Sequence, residues 1–278
     1  MTERFSAFSF VDRITEFEAG TRATGQFAVP EGLPSFPACL VAEAVGQLAA
    51  WVAMACVGFR RRPVAGLAGE TRFVREVKPG QRLDLEVALE SCDGEAVAYG
   101  GCARVAGAEV LALRHCVGPM LPLADFDAPE AVQGRFQVLR DGGAPSRGFR
   151  GVAPPGLVVI ERRPGERVRA ALHVPAAAPF FADHFPRRAV FPGTLLLDSQ
   201  IRLAMGLAGE LPRPGAHPFA PSRVRDVKIR SFILPGQAVE IEAQLARVGD
   251  VAEAALTARS NGKQIASARL ELASREAA

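Results

Sequence analysis

The chain has 278 residues, of which 49% are hydrophobic and 23% charged, with a formal net charge of +3. That length can bury the core of one large or two small domains. So small a net charge argues against a dedicated nucleic-acid binder. The five cysteines (Cys39, Cys56, Cys92, Cys102, Cys116) form no Cys-x-x-Cys pair, no zinc spacing and no even disulfide framework, so no metal site is expected and a reducing cytoplasm is favoured.

The N-terminus, Met-Thr-Glu-Arg-Phe-Ser, lacks the basic-then-apolar build of a signal peptide. The run from Ala38 to Phe59 is apolar enough to imitate a membrane span, but Glu43 and Gln47 within it argue against lipid and for a buried central helix. Positive charge clusters at Arg60–Arg62, Arg187–Arg188 and Arg223–Arg230. Such clusters read as solvated faces or as a docking surface for an acidic partner.

The chain repeats itself. Phe36-Pro37-Ala38-Cys39-Leu40-Val41-Ala42-Glu43 aligns with Phe191-Pro192-Gly193-Thr194-Leu195-Leu196-Leu197-Asp198, and Pro79-Gly80-Gln81 with Pro235-Gly236-Gln237. After each Pro-Gly the apolar residues alternate, Leu83, Leu85, Val87 and Leu89 in one copy and Val239, Ile241 and Ala243 in the other, which is strand periodicity. Asn261-Gly262 signals a hairpin, and Ala106-Gly107 holds the same place in the first copy. Each half thus reads as strand, loop, apolar helix and several antiparallel strands. The expected units are residues 1–118 and 156–278. Between them runs a Pro/Gly-rich linker over 119–155, with a helix from Ala128 to Leu139 capped by Asp127.

The copies differ upstream of the helix. The second carries Phe180-Phe181-Ala182-Asp183-His184-Phe185-Pro186, then Pro192-Gly193, then Asp198. The first lacks about ten residues there and has no histidine before His115, but it keeps Glu43 with Gln47 one turn on, where the second copy has Arg202. Pro192 suits the first turn of a helix, and Gly193 leaves that N-terminus open for its N–H groups to meet a substrate oxygen.

Phe180, Phe181, His184, Phe185, Pro186, Pro192, Gly193 and Asp198 together resemble the signature of the β-hydroxyacyl-acyl-carrier-protein dehydratases of the hot-dog fold. The pattern departs at Asp183, Arg187 and Ala189, where that family usually has Gly, Gly and Pro. The resemblance implies an α+β double hot dog: two curved antiparallel sheets, each wrapped around a long central helix, as a fused version of the family's dimer. It also implies a site shared between copies, with His184 as base, Glu43 from the other copy as a protonated acid supported by Gln47, and Gly193 as oxyanion donor beside Pro192 and Phe185. Asp198 is the alternative acid.

The substrate implied is a 3-hydroxyacyl thioester on the phosphopantetheine of an acyl carrier protein or on coenzyme A, with no further cofactor. Arg187 and Arg188 would dock the carrier. A hot-dog thioesterase is the second reading; a non-catalytic acyl-binding or partner subunit is the third, favoured if Asp183 and Arg187 block the tunnel. The assembly expected is a monomeric pseudo-dimer or a homodimer of double hot dogs. Ser146, Ser199 and Ser222 sit in no nucleophile elbow.

Overall fold

The computed structural model describes residues 5–144, 148–211, 217–247 and 251–274; Ser146 lies outside them. The first copy runs β1 (Arg13–Glu18), β2 (Arg22–Ala28), α1 (Ala38–Cys56), β3 (Arg61–Pro63), β4 (Leu67–Phe73), β5 (Arg82–Cys92), β6 (Ala96–Val105) and β7 (Ala108–Pro122). After α2 (Pro129–Asp141), the second runs β8 (Leu157–Arg163), β9 (Arg167–His173), α3 (Gly193–Ala208), β10 (Phe219–Ile229), β11 (Ala238–Arg247), β12 (Val251–Ser260) and β13 (Lys263–Ser274). The order across the sheet is β1-β2-β5-β6-β7-β4-β10-β13-β12-β11-β9-β8, all antiparallel and open at both edges. This is a double hot dog. The two half-sheets join edge to edge where β4 pairs with β10, Val224 opposite Thr71 and Arg225 opposite Glu70.

The repeat survives in fine detail. Gly80 and Gly236 take positive φ in matching turns, and the Gln81 and Gln237 side chains each accept from the backbone N–H three residues earlier, at Lys78 and Leu234. The hairpins at Ala106-Gly107 and Asn261-Gly262 have positive φ at both residues, as a type I′ turn requires. Alternation on β5 and β11 buries Leu83, Leu85 and Val87 in one copy and Val239, Ile241 and Ala243 in the other. The curved faces so formed wrap α1 and α3, whose apolar residues join one continuous core. By length and composition α1 could cross a membrane, yet Leu40, Val41, Ala44, Val45, Leu48 and Val52 are buried against the sheet.

Three expectations about boundaries are corrected. Strand β7 continues to Pro122, inside the expected linker, because β3 pairs with it, Arg61 opposite Pro122 and Pro63 opposite Met120. Asp127 does not cap α2. The N-cap is Ala128, Pro129 opens the helix, and the Asp127 carboxylate accepts instead from the adjacent Ala128 N–H. Pro192, expected inside the first turn of α3, is its N-cap, with extended backbone (φ −60°, ψ 131°), and Gly193 is the first helical residue.

Helix α2 is more than a tether. It buries Val132, Phe136 and Leu139, and Phe136 stacks on Trp51 of α1 with ring centroids 6.1 Å apart.

Gly101 of β6 is wedged between β5 and α1. A Cβ there would meet the Glu86 carbonyl oxygen at 2.5 Å and Val45 Cγ1 at 2.8 Å. The backbone oxygen cannot swing aside, so Gly101→Ala should destabilise by about 1–3 kcal/mol, as overpacking does. A thermal melt within a degree of the parent would show that β5 and α1 both give way at this position.

Candidate active site

The Phe-Phe-x-x-His-Phe-Pro loop starts with a 3-10 turn at Pro179–Ala182 and folds His184 back on itself. The His184 N–H donates to Phe180 O, and Val190 N–H donates to His184 O. The His184 Nδ1 lies 2.8 Å from the Val190 carbonyl oxygen, which can only accept, so Nδ1 carries the proton and Nε2 keeps its lone pair. Burial pushes the imidazole below its ordinary 6.5. Glu43 and the Val190 bond pull it back up, and Arg62 pushes it down. The ring packs on Phe185, centroids 4.1 Å apart, and meets the edge of Phe8 at 5.7 Å.

Glu43 reaches the same cavity from α1 of the other copy. Both its oxygens are held. Gln47 Nε2 donates to Oε1 at 3.0 Å, and the Thr194 hydroxyl of α3 donates to Oε2 at 2.8 Å. Each oxygen keeps capacity for a further hydrogen bond. Gly193 lines the cavity at the start of α3, ahead of the first helical bonds, which Leu195 and Leu196 make to Pro192 O. The cavity holds about 240 Å³ and is also lined by Gly46, Ala50, Trp51 and Met54 of α1 and by Val132 and Leu139 of α2. A second hollow of about 40 Å³ shares His184, Phe185 and Gly193 and extends to Ser231–Ile233.

Asp198 is placed elsewhere. It lines neither cavity and is ion-paired with Arg202 at 3.0 Å one turn along α3. Burial raises its pKa, and Arg202 opposes the shift. Arg187 and Arg188 are exposed. The Arg187 side chain donates to Ala124 O, and the Arg188 guanidinium lies 4.7 Å from the ring centroid of Phe232, a wall of the smaller hollow. Ser199 and Ser222 donate to the carbonyls of Leu195 and Glu271.

The departures at Asp183 and Arg187 do not close the cavity. The Asp183 carboxylate accepts from the Phe5 N–H at 2.5 Å, the Phe8 N–H at 2.8 Å and the Ser9 hydroxyl at 3.2 Å. On the other side of this N-terminal strap, Gln47 accepts from Phe10 N–H at 2.8 Å and donates to Phe8 O at 2.9 Å. Two residues near the centre escaped the sequence reading. Thr194 was legible only as a position in the repeat. Arg62, indistinguishable in sequence from Arg60 and Arg61, lines the cavity, held against the Phe185 ring at 3.7 Å. Burial brings its pKa down to about 10, while Asp127 and Glu43 hold it up.

The 3-hydroxyacyl-[acyl-carrier-protein] dehydratase FabZ of Bacillus velezensis is 39% identical over 113 residues, 36% of this chain and 79% of that protein. The chain belongs to the hot-dog dehydratase family. FabZ of Bacillus subtilis is 38% identical over 112 residues, and the family model for ApeI-like dehydratases matches residues 161–269. These dehydratase matches cover less than half of the chain.

Solved structures spanning the whole fold include a MaoC-like dehydratase (TM-score 0.53, 13% identity, 92% of this chain and 98% of that one). Another is the acyl-CoA thioesterase II TesB2 of Mycobacterium marinum (TM-score 0.55, 13% identity, 95% of this chain and 96% of that one). At such identity they bear on the fold alone.

Asp183 ties the histidine loop to the strap that carries Phe8. Asp183→Ala should cost about 1–3 kcal/mol, the range for losing hydrogen bonds to a charged acceptor. It should also speed hydrogen exchange at the Phe5 and Phe8 amides. Unchanged protection at Phe8 would mean that Gln47 alone secures the strap.

Proposed function

We propose that the chain removes water reversibly from a 3-hydroxyacyl thioester to give the trans-2-enoyl thioester, in fatty acid or polyketide-type biosynthesis. The observation that carries this reading is one cavity lined by both a histidine with an unprotonated Nε2 and a carboxyl from the other repeat. His184 Nε2 takes the proton alpha to the thioester carbonyl, and the Gly193 N–H receives the negative charge developing on the carbonyl oxygen. Glu43, in its protonated form and oriented by Gln47 and Thr194, gives its proton to the departing hydroxyl. In the hydration direction the same groups act in reverse.

The alkyl chain occupies the groove along Gly46 and Ala50, whose small side chains leave room beside the helix. The pantetheine arm comes in through the smaller hollow, beneath Arg188 on Phe232. A carrier protein is acidic, so Arg187 and Arg188 suit it as a docking pair. The FabZ relatives are named for substrates on an acyl carrier protein, which supports that choice over coenzyme A.

His184→Ala should lower hydration of an enoyl thioester by roughly 10²–10⁴-fold, the usual cost of a missing general base, with little change in the thermal melt. Glu43→Gln should lose a comparable factor, and the double variant should be little worse than either single one, because groups acting as a unit are non-additive. Asp198→Asn should retain most activity. A dead Asp198→Asn beside an active Glu43→Gln would overturn the cross-repeat assignment. Release of free thiol from saturated acyl thioesters, without enoyl formation from the 3-hydroxyacyl ones, would make the protein a thioesterase.

Two further measurements bear on the same reading. Because burial holds His184 below 6.5, the acid limb of kcat/KM should fall with a midpoint under 6.5 as the base takes up a proton. The sign carries over to stability. A histidine whose folded pKa is depressed stabilises the fold above its unfolded value, and this contribution is lost as pH falls through the folded one. Charge reversal at Arg187 and Arg188 should raise KM for a carrier-bound substrate and spare a short pantetheine thioester. Equal effects on both would remove the docking role.

A further inference from the structure

Arg62 has an unusual setting for so costly a charge. It leaves the surface cluster to line the cavity, and its Nε is buried with no hydrogen-bond partner among the described residues. Its guanidinium lies 3.7 Å from the centroid of Phe185, while the His184 ring lies 4.1 Å from the same ring at an interplanar angle of 23°. At these separations the two cannot share one face, so Phe185 is held between imidazole and guanidinium. A guanidinium stacks in this way and an ammonium does not. Phe126, next to Asp127, closes the edge of Phe185 at 5.2 Å.

We propose that Arg62 is the positioning residue of His184: it clamps the histidine loop through Phe185 and keeps the imidazole in its proton-accepting form by its fixed charge. Besides His184 and Arg62, the charged groups lining the cavity are few. Glu43 comes from α1, Asp127 and Arg135 from the segment joining the copies, and Asp183 from the histidine's own loop. Tyr99 of β6 and Cys116 of β7 are neutral wall residues, the phenol pushed well above 10 and the thiol to about 12 by burial. The stretches of β4, β10 and α3 that close the remaining sides contribute only uncharged residues, among them Ala68, Val227 and Thr194. Burial is the main influence that keeps the proton off His184; Glu43, when ionised, works against it and Arg62 works with it, and Asp127 in turn favours the charged form of Arg62.

The kinetic part of this inference rests on the dehydratase reading, and the titration part does not. In protein labelled at histidine, the His184 resonance, one of four and assigned by its loss in His184→Gln, is followed against pH in the resting protein. Arg62→Met removes the charge and the stack. It should raise the His184 midpoint by roughly one pH unit, the order expected for a charge ~8 Å away at a moderate effective dielectric. The acid limb of kcat/KM should move by the same amount in the same direction. Arg62→Lys keeps the charge and loses the planar stack, so its midpoint should stay while kcat falls roughly ten- to a hundredfold with KM little changed.

Should Arg62→Met fail to fold because Asp127 is left buried without its cation, the Arg62→Met/Asp127→Asn variant removes both charges and should still raise the midpoint. A midpoint that stays or falls in the Met variants, or full kcat in Arg62→Lys, overturns the inference. A parent protein inert toward enoyl thioesters would sink the dehydratase reading and leave the titration standing.

Discussion

A histidine from one repeat and a carboxyl from the other can line one cavity only if the two repeats are fixed in register, and the pairing of β4 with β10 fixes them. With Val224 opposite Thr71 and Arg225 opposite Glu70, two half-sheets become one, and α1 and α3 are left packed against each other inside. The hydrogen bond from Thr194 to Glu43, across 151 positions of sequence, depends on that alignment. A slip of one residue between β4 and β10 would turn every side chain on the joining strands to the opposite face. The cavity therefore inherits its precision from backbone pairing, which is stiffer than any side-chain contact around it.

Around this frame the site is laced by short polar ties. Gln47 holds Glu43 and the strap, and Asp183 holds the strap and the histidine loop. Neither tie could be dropped cheaply, because each leaves partly buried N–H groups without acceptors. Asp183 stands where the family usually has glycine, and it has become a structural link between the first residues of the chain and the histidine loop.

Much of this was legible in the sequence, and the gaps have physical causes. The repeat, the double hot dog and the hairpins could be read because glycine turns and alternating apolar residues report local backbone geometry directly. Glu43 and His184 could be brought together because the family resemblance implies a site shared between copies and one copy lacks the loop that the other keeps. Arg62 could not. Three consecutive arginines look alike in sequence, and only the pairing of β3 with β7 decides which of them turns inward. Asp127 was read as a helix cap for a similar reason, since a local rule was applied where Pro129 had already set the helix start. Nor does composition reveal that α2, in a Pro- and Gly-rich linker, completes a wall of the cavity.

The contrast between Gln47 and Arg202 has a wider meaning. In a dimer of identical subunits every substitution appears twice, so a side chain that serves one half must be endured by the other. Joining the two halves in one chain removes that obligation. The same helical position can hold an amide that orients Glu43 in one repeat and, in the other, a cation that neutralises Asp198. The face around Asp198 is thereby released from the demands placed on its counterpart and is free to drift toward stability or toward some other task.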